Sequence, residues 1–335
     1  MRKPAGILLG LAALALATVM PAWADQLFFY TNFGMGFPQQ GSIQRLDITT
    51  GTDTAIVSGL STPDSLVFSG PNTIVYSEQN NGRLSQGQLN RVNTDGSGPA
   101  TIATGFQNNQ DLALDPGGAS VVMSDTDNHR VVRVNLSTGI TTVLSQFASP
   151  VRGIAYDTAG HLFVNVDNFQ GAGGPDQIVQ IDPLTGVVIN SLNLPRPGDG
   201  LTFDPSSGSL WAASVIDASV MQIADNLGSV TEFDCTSGDT SVCFIYDGVE
   251  ADGNGNVDLA NVNGYIDQYN IASGTFSFLA PAPGIDDLAP LVGEGSPSPV
   301  SSATPEPSSV LLIATGLAAI FLLRKRAPLI KSAVS

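Results

Sequence analysis

No lysine occurs between Asp25 and Thr304, and only seven of the chain's 13 Lys and Arg, all arginine, lie there. All 30 acidic residues except Glu306 fall in the same stretch, which therefore carries a net charge of about −22. Nucleic acid and anionic lipid are held by clustered Lys and Arg, so such a body excludes nucleic acid as a partner. Metal and redox chemistry are thinly provided for. His129 and His161, the two histidines, have no second His at ligand spacing and read as structural. Cys235 and Cys243 lack the C-x-x-C spacing of zinc or redox sites. No G-x-S-x-G elbow, phosphate-cradling loop or dinucleotide fingerprint is present, and Gly171-Ala-Gly-Gly174 precedes no helix. Long apolar runs are confined to the two ends.

The N-terminal end has the three parts of a secretory signal. Arg2 and Lys3 are basic, Ile7 to Val19 is apolar, and Ala22-Trp23-Ala24 follows Pro21 as a small-residue cleavage site. Residues 1–24 are expected to be removed between Ala24 and Asp25. Export places the chain in an oxidising compartment, so Cys235 and Cys243 are expected to pair. The loop they close is short, and the stabilisation correspondingly modest.

What is present in abundance is repetition. Asp64-Ser-Leu-Val-Phe68, Gln110-Asp-Leu-Ala-Leu114, Arg152-Gly-Ile-Ala-Tyr156, Asp199-Gly-Leu-Thr-Phe203, Asp247-Gly-Val-Glu-Ala251 and Asp286-Asp-Leu-Ala-Pro290 align, with starts 46, 42, 47, 48 and 39 residues apart. That period suits a four-stranded propeller blade. A turn follows each first strand, such as Asp115-Pro-Gly-Gly118 or Asp157-Thr-Ala-Gly160, in which Asp bonds its own backbone and Gly takes positive φ. A second strand such as His161-Leu-Phe-Val-Asn165 comes next, then an alternating third such as Arg130-Val-Val-Arg-Val-Asn135. A Thr-Gly or Ser-Gly hairpin leads to the fourth, as at Thr138-Gly139. Leu27-Phe-Phe-Tyr30 reads as a second strand lacking a first, and Asp286–Pro290 as a first strand lacking the rest. Joining them predicts an all-β, six-bladed propeller over residues 25–291, closed by both termini without a long open edge.

Inner strands of a propeller converge on its axis, so the aligned entry residues Asp64, Gln110, Arg152, Asp199, Asp247 and Asp286 are expected around one channel mouth. Asp111 and Asp287 stand one residue later. Converging carboxylates repel unless protonated or bridged by a cation, and oxygen-only ligands suit Ca²⁺. Asp64, Asp111, Asp199, Asp247, Asp286 and Asp287 are therefore the candidate metal ligands. A second oxygen-rich segment, Asp252-Gly-Asn-Gly-Asn-Val-Asp258, lacks the bidentate Glu of a calcium loop and aligns with the blade turns, so it reads as a hairpin turn.

Asp127-Asn-His-Arg-Val-Val-Arg-Val134 resembles the NHL repeat. The wider Gly-Ile-Ala, Asp, Gly, Leu-Phe-Val pattern is similar to the gluconolactonase (senescence-marker) group of six-bladed propellers. The resemblance spans roughly Gln26 to Leu291. It implies the propeller fold and, from the second group, a metal near the channel mouth. That group's Glu-plus-Asn ligand set is not reproduced position by position, and Arg152 intrudes into the ring.

Beyond Leu291 the composition changes. Residues 292–304 form a Gly/Ser/Pro linker, and residues 305–335 hold Pro305-Glu306-Pro307, an apolar run over 310–323 and the basic cluster Arg324-Lys325-Arg326. On its own this reads as a spacer, a short transmembrane segment in the inner membrane and a positive-inside stop. The order resembles the PEP-CTERM sorting signal, which implies processing by a membrane-embedded exosortase and delivery to the cell surface or exopolysaccharide matrix. The extension Ala327–Ser335 departs from that pattern. Two functions follow as expectations. One is a non-catalytic surface platform that binds glycan or protein. The other is a Ca²⁺-dependent lactonase-type hydrolase working at the channel mouth.

Overall fold

The structure is a computed structural model that describes residues 27–34, 40–79, 86–168, 171, 173–236 and 242–290. The signal segment with Ala24 and Asp25, the linker, Pro305, Glu306 and Pro307, the run 310–323 and Arg324, Lys325 and Arg326 lie outside the described residues.

Among the described residues twenty-four strands form six antiparallel four-stranded sheets. Blade 1 combines β24 (Ile285–Pro290) with β1 (Leu27–Asn32), β2 (Gly41–Asp47) and β3 (Thr52–Leu60). Blade 2 is β4 (Pro63–Gly70), β5 (Thr73–Glu78), β6 (Gly87–Asn93) and β7 (Ala100–Phe106). Blade 3 is β8 (Asn109–Leu114), β9 (Ser120–Asp125), β10 (Arg130–Asn135) and β11 (Thr141–Gln146). Blade 4 is β12 (Val151–Tyr156), β13 (Leu162–Val166), β14 (Gln177–Ile181) and β15 (Val188–Asn193). Blade 5 is β16 (Gly198–Asp204), β17 (Ser209–Ser214), β18 (Ser219–Ala224) and β19 (Val230–Asp234). Blade 6 is β20 (Tyr246–Ala251), β21 (Asn256–Asn261), β22 (Tyr265–Asn270) and β23 (Thr275–Pro281). Among the described residues the helical content is one 3₁₀ turn, Thr126–Asn128.

The closure expected from the termini is present: β24 pairs antiparallel with β1, Phe28 opposite Pro290 and Tyr30 opposite Leu288. Strand limits differ slightly from the repeat alignment. The inner strands start one residue earlier, and the fourth strand of blade 3 begins at Thr141.

Burial falls from hub to rim. Every residue of β9 and β17 is buried, whereas β15 is exposed along almost its whole length. Sheets covered on both faces read as continuous apolar runs, which is why the second strands lack alternation and the fourth strands are polar. The core lies between blades. Trp211 of blade 5 packs against Tyr269 of blade 6 and Phe233, ring centroids 5.5 and 5.9 Å away.

The rim hairpins share one device. Asp47, Asn135 and Asn270 end a third strand and Asp182 directly follows one, and each accepts backbone N–H groups two or three residues on, as at Asp182 from Leu184 (2.9 Å) and Thr185 (2.8 Å). The glycine that follows, Gly51, Gly139, Gly186 or Gly274, turns the chain at φ between 67 and 71°. A disulfide joins Cys235 and Cys243 in the connection from β19 to β20, with Cα atoms 5.4 Å apart.

Candidate functional site at the channel mouth

Each inner strand loses register near its start, and β4 does so again between Phe68 and Gly70. The slips fall between Pro63 and Leu66, Asn109 and Leu112, Val151 and Ile154, Gly198 and Leu201, and Tyr246 and Val249. In β24 the slip lies between Ile285 and Leu288, opposite Asn32 and Tyr30. A bulge of this kind frees two residues from the ladder and re-aims their side chains. The first freed residue in every blade is one of the aligned set: Asp64, Gln110, Arg152, Asp199, Asp247 or Asp286. The sequence repeat thus marks a structural ring.

The second freed residue divides the ring. In blades 4, 5 and 6 it is Gly153, Gly200 or Gly248, and the next inner strand approaches too closely for a side chain. A Cβ on Gly248 would stand 2.9 Å from Asp287 Cα. In blades 1, 2 and 3 it is Asp287, Ser65 or Asp111, and a hydroxyl on the second strand takes up the freed N–H. Thr31 Oγ1 accepts from Asp287 (3.0 Å), Ser77 Oγ from Ser65 (2.9 Å) and Ser124 Oγ from Asp111 (2.8 Å). Thr31 and Ser77 also donate onward to the carbonyls of Asp64 and Gln110 in the next blade.

Electrostatics at the ring is dominated by burial and like charge. Asp247 neighbours both Asp199 and Asp286 and, after burial, helps push their carboxyls up. Burial pushes the Asp199 carboxyl up to about 8 although Arg152 pulls it down. Asp64, Asp111 and Asp286 lie well above the usual carboxylate range, through burial first and neighbouring acids second, and Asp287 reaches about 6. Asp64 accepts from Gln79, while Asp111 accepts from the Leu112 and Ile154 amides at 2.7 Å each. Arg152 does not point down the channel. Its Nε meets Asp167 at 2.8 Å and its Nη1 meets Asp199 at 2.6 Å.

The carboxylate oxygens suit calcium in kind, but their placement does not gather them. Among the described residues no three His, Cys, Asp or Glu converge as a metal ion requires. Asp199, Asp247, Asp286 and Asp64 instead follow one another around the ring as a row, one from each successive blade. Asp252 accepts from the amides of Asn254 and Asn256 at 2.7 and 3.0 Å and so caps a hairpin turn. His129 holds a left-handed turn at φ 55°, and the half-exposed His161 places Nδ1 2.6 Å from Asp157 on the opposite face.

Above the ring lies a mouth cavity of about 410 Å³ between blades 4, 5 and 6. Its floor is Arg152, Asp167, Asp176, Asp199 and Asp247, and Ile216 and Val262 stand exposed at its rim. Asp167 and Asp176 lie after β13 and outside the repeat alignment, so no repeated position marks them. Glu250 was equally unmarked, although the aligned column shows it: Val67, Ala113, Ala155, Thr202 and Ala289 occupy its place in the other blades.

Residues 303–326 match the PEP-CTERM protein-sorting motif. The motif implies export and membrane-associated processing of the propeller by an exosortase-type enzyme. No curated protein matches it in sequence. Among solved structures it is similar to a chain of the nidogen/laminin complex, with TM-score 0.62 and 16% identity over 80% of this chain and 98% of that one. It is also similar to streptogramin B lyase, with TM-score 0.51 and 12% identity over 76% of this chain and 74% of that one. At such identities the likeness shows the fold alone. Among the described residues no helix is long and apolar enough to cross a membrane.

Proposed function

We propose that this protein is an exported cell-surface or matrix propeller, processed through its tail, whose mouth face is a non-catalytic binding platform for glycan or protein. The observation that carries this reading is the sorting motif at residues 303–326 on a closed propeller. The mouth cavity supports it, since an apolar rim of Ile216 and Val262 around a charged floor has the make-up of an interaction surface. The nidogen/laminin likeness joins it to a fold seen in a protein complex. The hydrolase reading is weaker because a metal-dependent reaction needs ligands gathered on one ion, and the ring holds its carboxyls in a row.

The test separates sorting from binding. Cells expressing the full chain are fractionated beside two variants, Glu306→Ala and the pair Ile216→Asp with Val262→Asp. Glu306→Ala is expected to shift the chain into the membrane fraction. The rim pair is expected to be processed normally but released to the medium. Retention of the rim pair at wild-type level would remove the platform from the mouth face.

A further inference from the structure

Below the carboxyl ring the axis stays open. A cavity of about 550 Å³ follows the channel from the ring to the turns after β4 and β8, where Pro71 and Gly118 line its edge. That volume lies within the range of small-molecule sites, roughly 300–1,000 Å³. The fifth residue of each inner strand sets the wall. Five of these six positions are small, from Ala113 to Val67, and keep the axis open, while the sixth is Glu250. Phe68, Tyr156 and Phe203 continue the wall towards the open end, so beneath the carboxyl ring that roofs it the space is an apolar sleeve with one further carboxyl, Glu250, set in its side.

Among the described residues, the charged groups that act most strongly on that carboxyl are all negative. Glu250 bonds Thr202 of β16, and the charged groups facing it are all acids: Asp287 of β24, Asp111 of β8 and Asp258 of β21. Asp258 is its cross-strand partner, fully buried, with an Oδ2 that has no hydrogen-bond partner. Arg152 is turned to the mouth and held there by Asp167 and Asp199. Packing does not call for the carboxyl either, because five blades fill the same position with Val, Ala or Thr. A carboxylate set in an apolar wall with only acids around it is costly, and a cationic ligand would offset that cost.

We propose that the sleeve binds an organic cation, with an ammonium head against Glu250, Asp111 and Asp287 and an apolar body along Val67, Phe68 and Phe203. The ligand enters from the side of the β4 and β8 turns. Burial and like charge hold Glu250 above the usual carboxylate range, so binding a cation there displaces a proton. Affinity therefore rises with pH. The site is independent of the platform reading, which concerns the opposite face.

Calorimetry on the purified full chain tests this with 2-phenylethylamine, uncharged 2-phenylethanol and calcium chloride alone as probes. The amine is expected to bind at least about ten-fold more tightly than the alcohol, with proton release and a tighter constant at about pH 8 than at about pH 6. Glu250→Gln is expected to abolish the preference for amine while leaving alcohol binding intact. Ala113→Leu, which narrows the sleeve, is expected to weaken both. Equal affinity for amine and alcohol, an unchanged preference in the folded Glu250→Gln variant, or no amine binding to the wild type would overturn the proposal. Calcium binding that Glu250→Gln abolishes, without amine binding, would overturn it in favour of an inorganic cation.

Discussion

Asp286 carries its burden from two directions: burial, and the carboxyls of Asp64 and Asp247 beside it. A group whose pKa is raised on folding keeps its proton in the native state after the unfolded chain has lost its own. The unfolded state then binds fewer protons, so stability falls as pH climbs from the ordinary carboxylate range through the folded value. For Asp199 that window extends to about 8, and for Asp287 to about 6. The melting temperature of the wild type is accordingly expected to drop between about pH 5 and about pH 8. Asp286→Asn removes one member of the row and is expected to reduce that drop, raising the melting temperature at the upper pH and leaving the lower one nearly unchanged. Scanning calorimetry at both pH values checks it, and a fall as steep as that of the wild type would show that Asp286 is not part of the coupled set.

An inner strand with its bulge is the unit that builds the ring, and two local solutions coexist in it. Where the second freed residue is glycine, the neighbouring strand closes in. Gly153→Ala would drive a Cβ to 2.6 Å from Leu201 Cβ and 2.8 Å from Leu201 N. It is expected to cost about 2 kcal/mol, read as a lower urea midpoint with unchanged slope. An unaffected midpoint would mean that blades 4 and 5 separate freely. This division also marks how far the sequence could be read. The spacing of Asp64, Gln110, Arg152, Asp199, Asp247 and Asp286 announced the blades and the ring, since position along a repeating strand is a one-dimensional property. The pairing of Arg152 with Asp167 and Asp199 was not announced, because it depends on the distance between blades and on a loop outside the repeat. Glu250 was legible only as a departure from a column of small residues. The disulfide followed from compartment and spacing, whereas the hydroxyls of Thr31, Ser77 and Ser124 gave no sign of their task until the bulges supplied an unpaired N–H.

For the molecule as a whole, stability rests on completing the circle. β24 comes from the far end of the described chain yet occupies the innermost position of blade 1, against β1. A chain ended at Gly284 would leave the buried face of β1 without its partner and would remove Asp286 and Asp287 from the ring. It is expected to lose the cooperative melt and to associate through the exposed edge, which light scattering together with circular dichroism would detect. A monomeric, cooperatively melting product would show that five complete blades suffice.

The same strand gives the ring a direction. β24 enters at the mouth beside Asp286 and leaves at Pro290 on the far side, and β1, running the other way, has Phe28 opposite Pro290. Both covalent exits from the propeller therefore lie on the face away from the carboxyls, the tail continuing from one of them. The chain thus leaves the propeller on the face where the sleeve opens, and the mouth lies on the opposite one. A ligand of the sleeve and a partner of the mouth would therefore approach from opposite faces, and only the first would pass the two chain exits.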